Sequence, residues 1–218
     1  MTAQTSNTSE RRASALFSQA EQDRIADAIT RAERATSGEI VAVVANDSGL
    51  YLYVPFMWAA LAALLVPWPL VYFTWWPVQW IYLVQLAAFL LLLLVLLPPV
   101  VRRALVPREV KRERAHRHAV EQFLAQGLHT TAGRTGVLIF VSVAERYAEV
   151  LADTGIDAEV APGTWQGIVD NLTARIGEGH AADGFIEAIG AAGQHLATHF
   201  PPGSGDPNEL PNKLIVLD

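Results

Sequence analysis

Between Asp47 and Arg102 the chain carries no charged side chain. Leu, Val, Ala, Trp, Phe and Tyr dominate the stretch. A bilayer core about 30 Å thick needs roughly 20 apolar residues per helical crossing. Residues 48–101 therefore hold two crossings, expected over 51–72 and 78–101, with Phe73-Thr74-Trp75-Trp76-Pro77 as the turn. Trp75, Trp76, Trp80 and Tyr82 gather there, at the headgroup level that amphipathic rings prefer. A soluble core helix of this length without a charge is rare.

Cationic residues beside a crossing set its orientation. Arg102, Arg103, Arg108, Lys111 and Arg112 follow the second crossing, with Arg114 and Arg117 beyond, and Arg31 and Arg34 precede the first. The turn has none. The expectation is a protein of the bacterial inner membrane with two crossings and both termini cytoplasmic. Met1 to Glu10 lacks the basic region and apolar core of a signal peptide.

Outside the hairpin about 160 residues remain, enough for one domain. The chain has no cysteine, which excludes disulfides, iron–sulfur clusters and thiolate zinc sites. A net charge of −6 argues against a nucleic-acid partner. The basic run after the hairpin is local and interrupted by Glu109 and Glu113, which suits contact with lipid headgroups.

Residues 1–14 are rich in Thr, Ser and Asn and read as disordered. The first part of the domain, 15–47, holds a helix ending near Ala35, with Phe17, Ile25, Ala28 and Ile29 on one face, then the buried-strand pattern Glu39–Ala45. After the hairpin, residues 102–200 form a basic stalk helix and the second part of the domain. Pro107 opens a helix over 108–126 whose apolar face is Val110, Ala115, Ala119, Val120, Phe123 and Leu124. Gly136–Val143 is a second strand, and Glu145-Arg146-Tyr147 links it to an antiparallel partner over 148–153. Thr164 and Asp183 are candidate N-caps of two final helices. The tail, 201–218, ends in Leu214-Ile215-Val216-Leu217, suited to an edge strand or to the bilayer surface. The order of elements is that of one α/β domain interrupted by a membrane hairpin.

Thr36-Ser37-Gly38-Glu39-Ile40, Arg134-Thr135-Gly136-Val137-Leu138-Ile139-Phe140-Val141-Ser142 and Val150-Leu151-Ala152-Asp153-Thr154-Gly155-Ile156 resemble the TPM domain. That family takes in thylakoid-lumen acid phosphatases, photosystem II repair factors and bacterial membrane proteins, and this chain looks like the last branch. The resemblance implies a sheet sandwiched by helices, with acidic residues at strand ends that bind calcium in some members. Glu39, Asp153 and Asp183 are the positions it points to. It also implies phosphatase activity in some members, although those are exported soluble domains without an inserted hairpin.

Read from the residues themselves, Asp47 and Asp153 each follow a strand. Convergent carboxylates there could hold calcium or another divalent cation for phosphoryl chemistry. A strand-end Asp is also ordinary turn chemistry. No phosphate loop or phosphatase nucleophile motif accompanies them. His195 and His199, four apart on a helix, form a weaker metal pair without a third ligand in view. His116 and His118 face different ways on theirs. Ser37 and Ser142 lie outside any nucleophile elbow. Trp165 reads as a core anchor. Pro55, Pro67 and Pro69 can kink the first crossing. Neither crossing holds an ionisable group, which favours an anchor over a transport path. Ala59, Ala60, Ala62 and Ala63 would allow homo-oligomers to assemble through the hairpin. The reading is a membrane-anchored accessory or partner-binding module with the lipid bilayer and an unknown protein as partners, the alternative being a divalent-cation-dependent phosphatase.

Overall fold

The computed structural model describes residues 16–47, 53–98, 101, 104–157, 159–161, 163–202 and 208–217. The expected disordered segment 1–14, the crossing start at Tyr51, and Arg102 and Arg103 lie outside them. The chain forms two compact units, Met1–Ser48 with Arg112–Asp218, and Gly49–Lys111.

In the first unit a four-stranded sheet has the order β3-β2-β1-β4, with β1 Glu39–Ala45, β2 Gly136–Ser142, β3 Tyr147–Ala152 and β4 Leu214–Leu217. β1 runs parallel to β2 (Glu39 opposite Gly136) and to β4 (Ala42 opposite Leu214), while β3 is antiparallel to β2. β1 and β2 are buried along their whole length, so they read as unbroken apolar runs without alternation. The C-terminal tail supplies an edge strand.

Helices cover both faces. Ile40, Ala42, Val44, Val137, Ile139 and Val141 meet α1 (Gln19–Glu33), α7 (Thr164–Gly177) and α8 (Ala181–His199), centred on Phe185, Ile189, Leu172 and Ile29. Val41, Val43, Leu138 and Phe140 meet Ala119 and Phe123 of α5 (Arg108–Ala125). α5 buries only Ala115 and Ala119, and Val120 and Leu124 face outward. The expected six-residue apolar face was too broad, because a highly charged helix meets the sheet along a narrow stripe. Val110 packs instead within the second unit, against Val54 and Val106.

Caps fix the helix ends. Ser18 caps α1 in a reciprocal capping box with Glu21. Thr164 is not an N-cap: left-handed Gly163 precedes the helix, and the Thr164 hydroxyl donates to Ala161 O at 2.8 Å. Asp183 does not cap either. It sits within the first turn of α8, after His180, where Arg24 of α1 holds it at 2.7 Å. Thr154–Asp157 forms a single helical turn, α6, in place of a plain break.

In the second unit the first crossing is two pieces, α2 (Tyr53–Leu65) and α3 (Pro67–Phe73). Pro67 and Pro69 withhold backbone N–H groups at the junction. α4 (Val78–Leu96) stops five residues short of the expected Val101, just before Pro98. Tyr53–Phe73 and Val78–Leu96 are each long and apolar enough to cross a membrane. α2 packs on α4, with Ala59 and Ala63 buried, so two of the four alanines expected at a contact between copies are used within the hairpin.

Candidate functional site

Buried polarity in the sheet unit concentrates at one place. Of the six buried polar residues described, Thr36, Glu39, Thr131, Thr135 and Asp153 all lie about the amino ends of β1 and β2, and Ser142 alone is at the far end. Thr135 donates to Ser37 O (3.1 Å), Thr36 to Phe200 O (2.6 Å), and Thr131 to Leu128 O (3.3 Å). These hydroxyls satisfy loop carbonyls that no ladder reaches.

Two carboxylates anchor this layer. Glu39 opens β1 and accepts the backbone N–H groups of Glu209 (2.9 Å, Oε1) and Leu210 (3.3 Å, Oε2), holding the tail against the sheet. Asp153 follows β3. Its Oδ1 accepts from Thr154 N (2.7 Å) and Arg134 Nη2 (3.0 Å), and its Oδ2 lies 2.7 Å from Arg134 Nε. Glycine makes that approach possible. A Cβ on Gly155 would stand 2.6 Å from Arg134 O, and one on Gly136 would stand 2.6 Å from Leu128 O. The residues that carry the family resemblance are thus packing and pairing residues.

A third carboxylate, Glu33 at the end of α1, went unnoticed in the sequence. Its Oε1 accepts from Ile40 N at 2.9 Å, and its Oε2 is buried without a hydrogen-bond partner, as is Asn212 Oδ1. Burial pushes the Glu33 carboxyl up to about 7, aided by the charge of nearby Glu39 and opposed by Ile40 N–H and Asn212. Only the three-dimensional meeting of α1, β1 and the tail reveals this. A helix-terminal Glu carries no such signal by itself.

The expected gathering of Asp47 and Asp153 does not occur. Because β3 runs antiparallel, Asp153 returns to the amino end of β2, with its N–H on Gly136 O, while Asp47 follows the carboxyl end of β1. Asp183 is engaged with Arg24 on the helical layer. His195 stacks edge-on to Trp165 at 6.2 Å and His199 is tilted against Phe200 at 6.4 Å, both exposed on α8. Among the described residues no group of three or more His, Asp or Glu side chains is placed to hold a metal ion. Arg108, Lys111 and Arg112 stand in the first turns of α5.

The sheet unit is thus a helix-covered mixed α/β domain whose buried polar layer secures its own loops and tail. Residues 102–195 match the family model of the TPM domain. The fold is similar to the NMR structure of the BA42 protein from the psychrophilic bacterium Bizionia argentinensis, with a TM-score of 0.58 and 21% identity over 91% of this chain and 94% of that one. No curated protein matches the sequence.

Proposed function

We propose that this chain is an inner-membrane TPM-domain protein, anchored by its hairpin, with the sheet unit and both termini on the cytoplasmic side. There the sheet unit acts as an accessory module that binds a protein partner. The observation that carries the anchoring is the outward face of the hairpin. Trp58, Leu61, Leu64, Trp68, Leu83, Leu86 and Leu91 are all exposed on helices of crossing length. Exposed apolar area on that scale marks a membrane or protein contact. The cations of α5 then supply the cytoplasmic bias.

The binding role rests on the state of the carboxylates. Glu39 serves the tail, Asp153 serves Arg134 and Thr154, and Asp183 serves Arg24. A phosphatase holding calcium or another divalent cation would need several of them free and convergent, so that reading has the weaker support. Alkaline carbonate extraction of membranes holding the full chain, with protease access to each terminus, tests the anchor. Retention with both termini shielded from outside is expected. Release, or an externally cleaved terminus, would refute it. Thermal shift with calcium and zinc, alongside phosphate-ester turnover, tests the role. Turnover lost in Asp153→Asn without unfolding would replace the binding module by an enzyme.

A further inference from the structure

Asn212 sits midway along the tail. Before it lie Glu209 and Leu210, whose N–H groups Glu39 holds, and after it β4 begins at Leu214. Its side chain reaches back to the last turns of α1. There Nδ2 donates to Thr30 Oγ1 at 3.2 Å, and the amide is close enough to act on the Glu33 carboxyl. Two oxygens at this junction, Asn212 Oδ1 and Glu33 Oε2, are buried without a hydrogen-bond partner. A buried acceptor that has left water and found no donor is costly.

The surrounding bonds fix which end of the amide is left over. The Thr30 hydroxyl donates to Ala26 O at 3.0 Å, so its oxygen can only accept from Asn212. Glu33 Oε1 is already taken by Ile40 N at 2.9 Å. An Asn212 nitrogen facing Glu33 would oppose a proton there. With Nδ2 spent on Thr30, an amide oxygen and a carboxyl oxygen remain. One proton on the carboxyl satisfies both, because the acid donates and the amide oxygen accepts.

We propose that the tail is a pH-sensitive strap: protonated Glu33 donates to Asn212 Oδ1 and clasps residues 208–217 to the domain, and loss of that proton lets the strap lift from β1. Burial, and then the charge of Glu39, push the Glu33 carboxyl up to about 7. The clasp is therefore complete below the ordinary 4.5 and is lost as pH rises through 7. The charged groups about it come from four elements. β1 brings Glu39, the charge that weighs on Glu33. The tail brings Glu209, whose carboxylate takes Ala132 N–H at 3.2 Å, and exposed Lys213. α1 brings exposed Arg31 and Arg34, and α8 ends in exposed His199. Lifting the strap would bare the edge of β1 from Ala42 to Ala45.

Hydrogen–deuterium exchange of the full-length chain in detergent micelles at pH 6 and 8, corrected for the intrinsic rate at each pH, tests the strap. Protection of Leu214–Leu217 should fall roughly ten-fold between the two and stay below that of Ile189 in α8 at both. Glu33→Gln, whose amide donates without a titrating proton, should keep β4 equally protected at pH 6 and 8. Asn212→Ala should leave β4 loose at both, with Ile189 still protected. Level β4 protection across this range in the parent would overturn the proposal. So would a fall that persists at full size in Asn212→Ala, since the proton would then act without the clasp. A β4 that exchanges at one common protection with α8 would also end it, because the tail would not lift by itself.

Discussion

Arg134 Nε stands 2.7 Å from Asp153 Oδ2, and the two ends of this pair live in different surroundings: the Arg134 side chain is 54% exposed and that of Asp153 4%. Removing either member therefore has unequal effects. Arg134→Ala strands a buried carboxylate with only Thr154 to serve it, at a cost of about 2–4 kcal/mol. Adding Asp153→Asn removes the stranded charge and should recover about 1 kcal/mol or more. Arg134 also sits in the left-handed region, at φ 53°. Arg134→Gly should thus be milder than Arg134→Ala by about 1 kcal/mol. Urea melts of the four proteins check the order. A double variant weaker than Arg134→Ala would mean the pair is not what binds these loops.

Glu33 gives the fold a pH dependence of defined sign. Its carboxyl lies at about 7 in the folded chain, above the ordinary 4.5, because it is buried and faces the charge of Glu39. A raised pKa means that the folded state holds the proton more tightly. The associated stability is full below pH 4.5 and is lost as pH rises from there through 7. Allowing for partial solvent screening, the loss should be about 1–2 kcal/mol. Glu33→Gln should flatten this slope and be the more stable protein at pH 8. Glu39→Gln should shift the Glu33 titration down. Identical melting curves for native protein and Glu33→Gln from pH 5 to 8 would dismiss the effect.

Two glycines separate close packing from open space. Gly155→Ala drives a Cβ to 2.6 Å from Arg134 O and 2.9 Å from Gly133 O, where backbone must move. A loss of about 2–3 kcal/mol is expected, as for overpacking elsewhere. On α8, a Cβ at Gly190 would meet nothing within 4 Å. Gly190→Ala should stabilise by about 0.5–1 kcal/mol through helix propensity. Thermal unfolding of both variants is the check, and equal effects would mean that neither position is as tight or as open as described.

What the sequence disclosed and what it withheld divide along physical lines. Glu39–Ala45 reads as a buried strand because seven consecutive residues carry the pattern, and it is found over those bounds. The capping box of Ser18 and Glu21 spans only three residues, so its partners are local in the chain. Asp183 looks like a cap by type, yet its partner Arg24 is 159 residues distant, and only the packing of α1 on α8 brings them together. The Asp47–Asp153 pairing fails for a related reason. Strand direction decides which ends meet, and each Asp looks the same in either direction. The polar layer that does form draws on Glu33, Glu39, Arg134, Asp153 and Asn212, from five separate segments. No local pattern announces a meeting of that kind.

The tail should prove to be part of the domain. β4 adds a parallel ladder from Ala42 to Ala45, Asn46 N–H bonds Leu217 O at 2.7 Å, and Glu39 takes the N–H groups of Glu209 and Leu210. Deleting residues 208–218 exposes one edge of β1, an apolar strand with its ladder groups unmet. It also deprives a buried carboxylate of those two donors. Each loss is of order 1 kcal/mol or more, so a total above about 3 kcal/mol is expected. An open apolar edge further invites pairing between copies. The truncated chain should melt well below the native one and aggregate on concentration. Lys213→Pro, placed one residue before the ladder, offers a milder comparison, since Lys213 N–H bonds Pro211 O and no β1 residue. A truncated chain that melts with the parent and stays dispersed would mean that β4 contributes nothing to the sheet it borders.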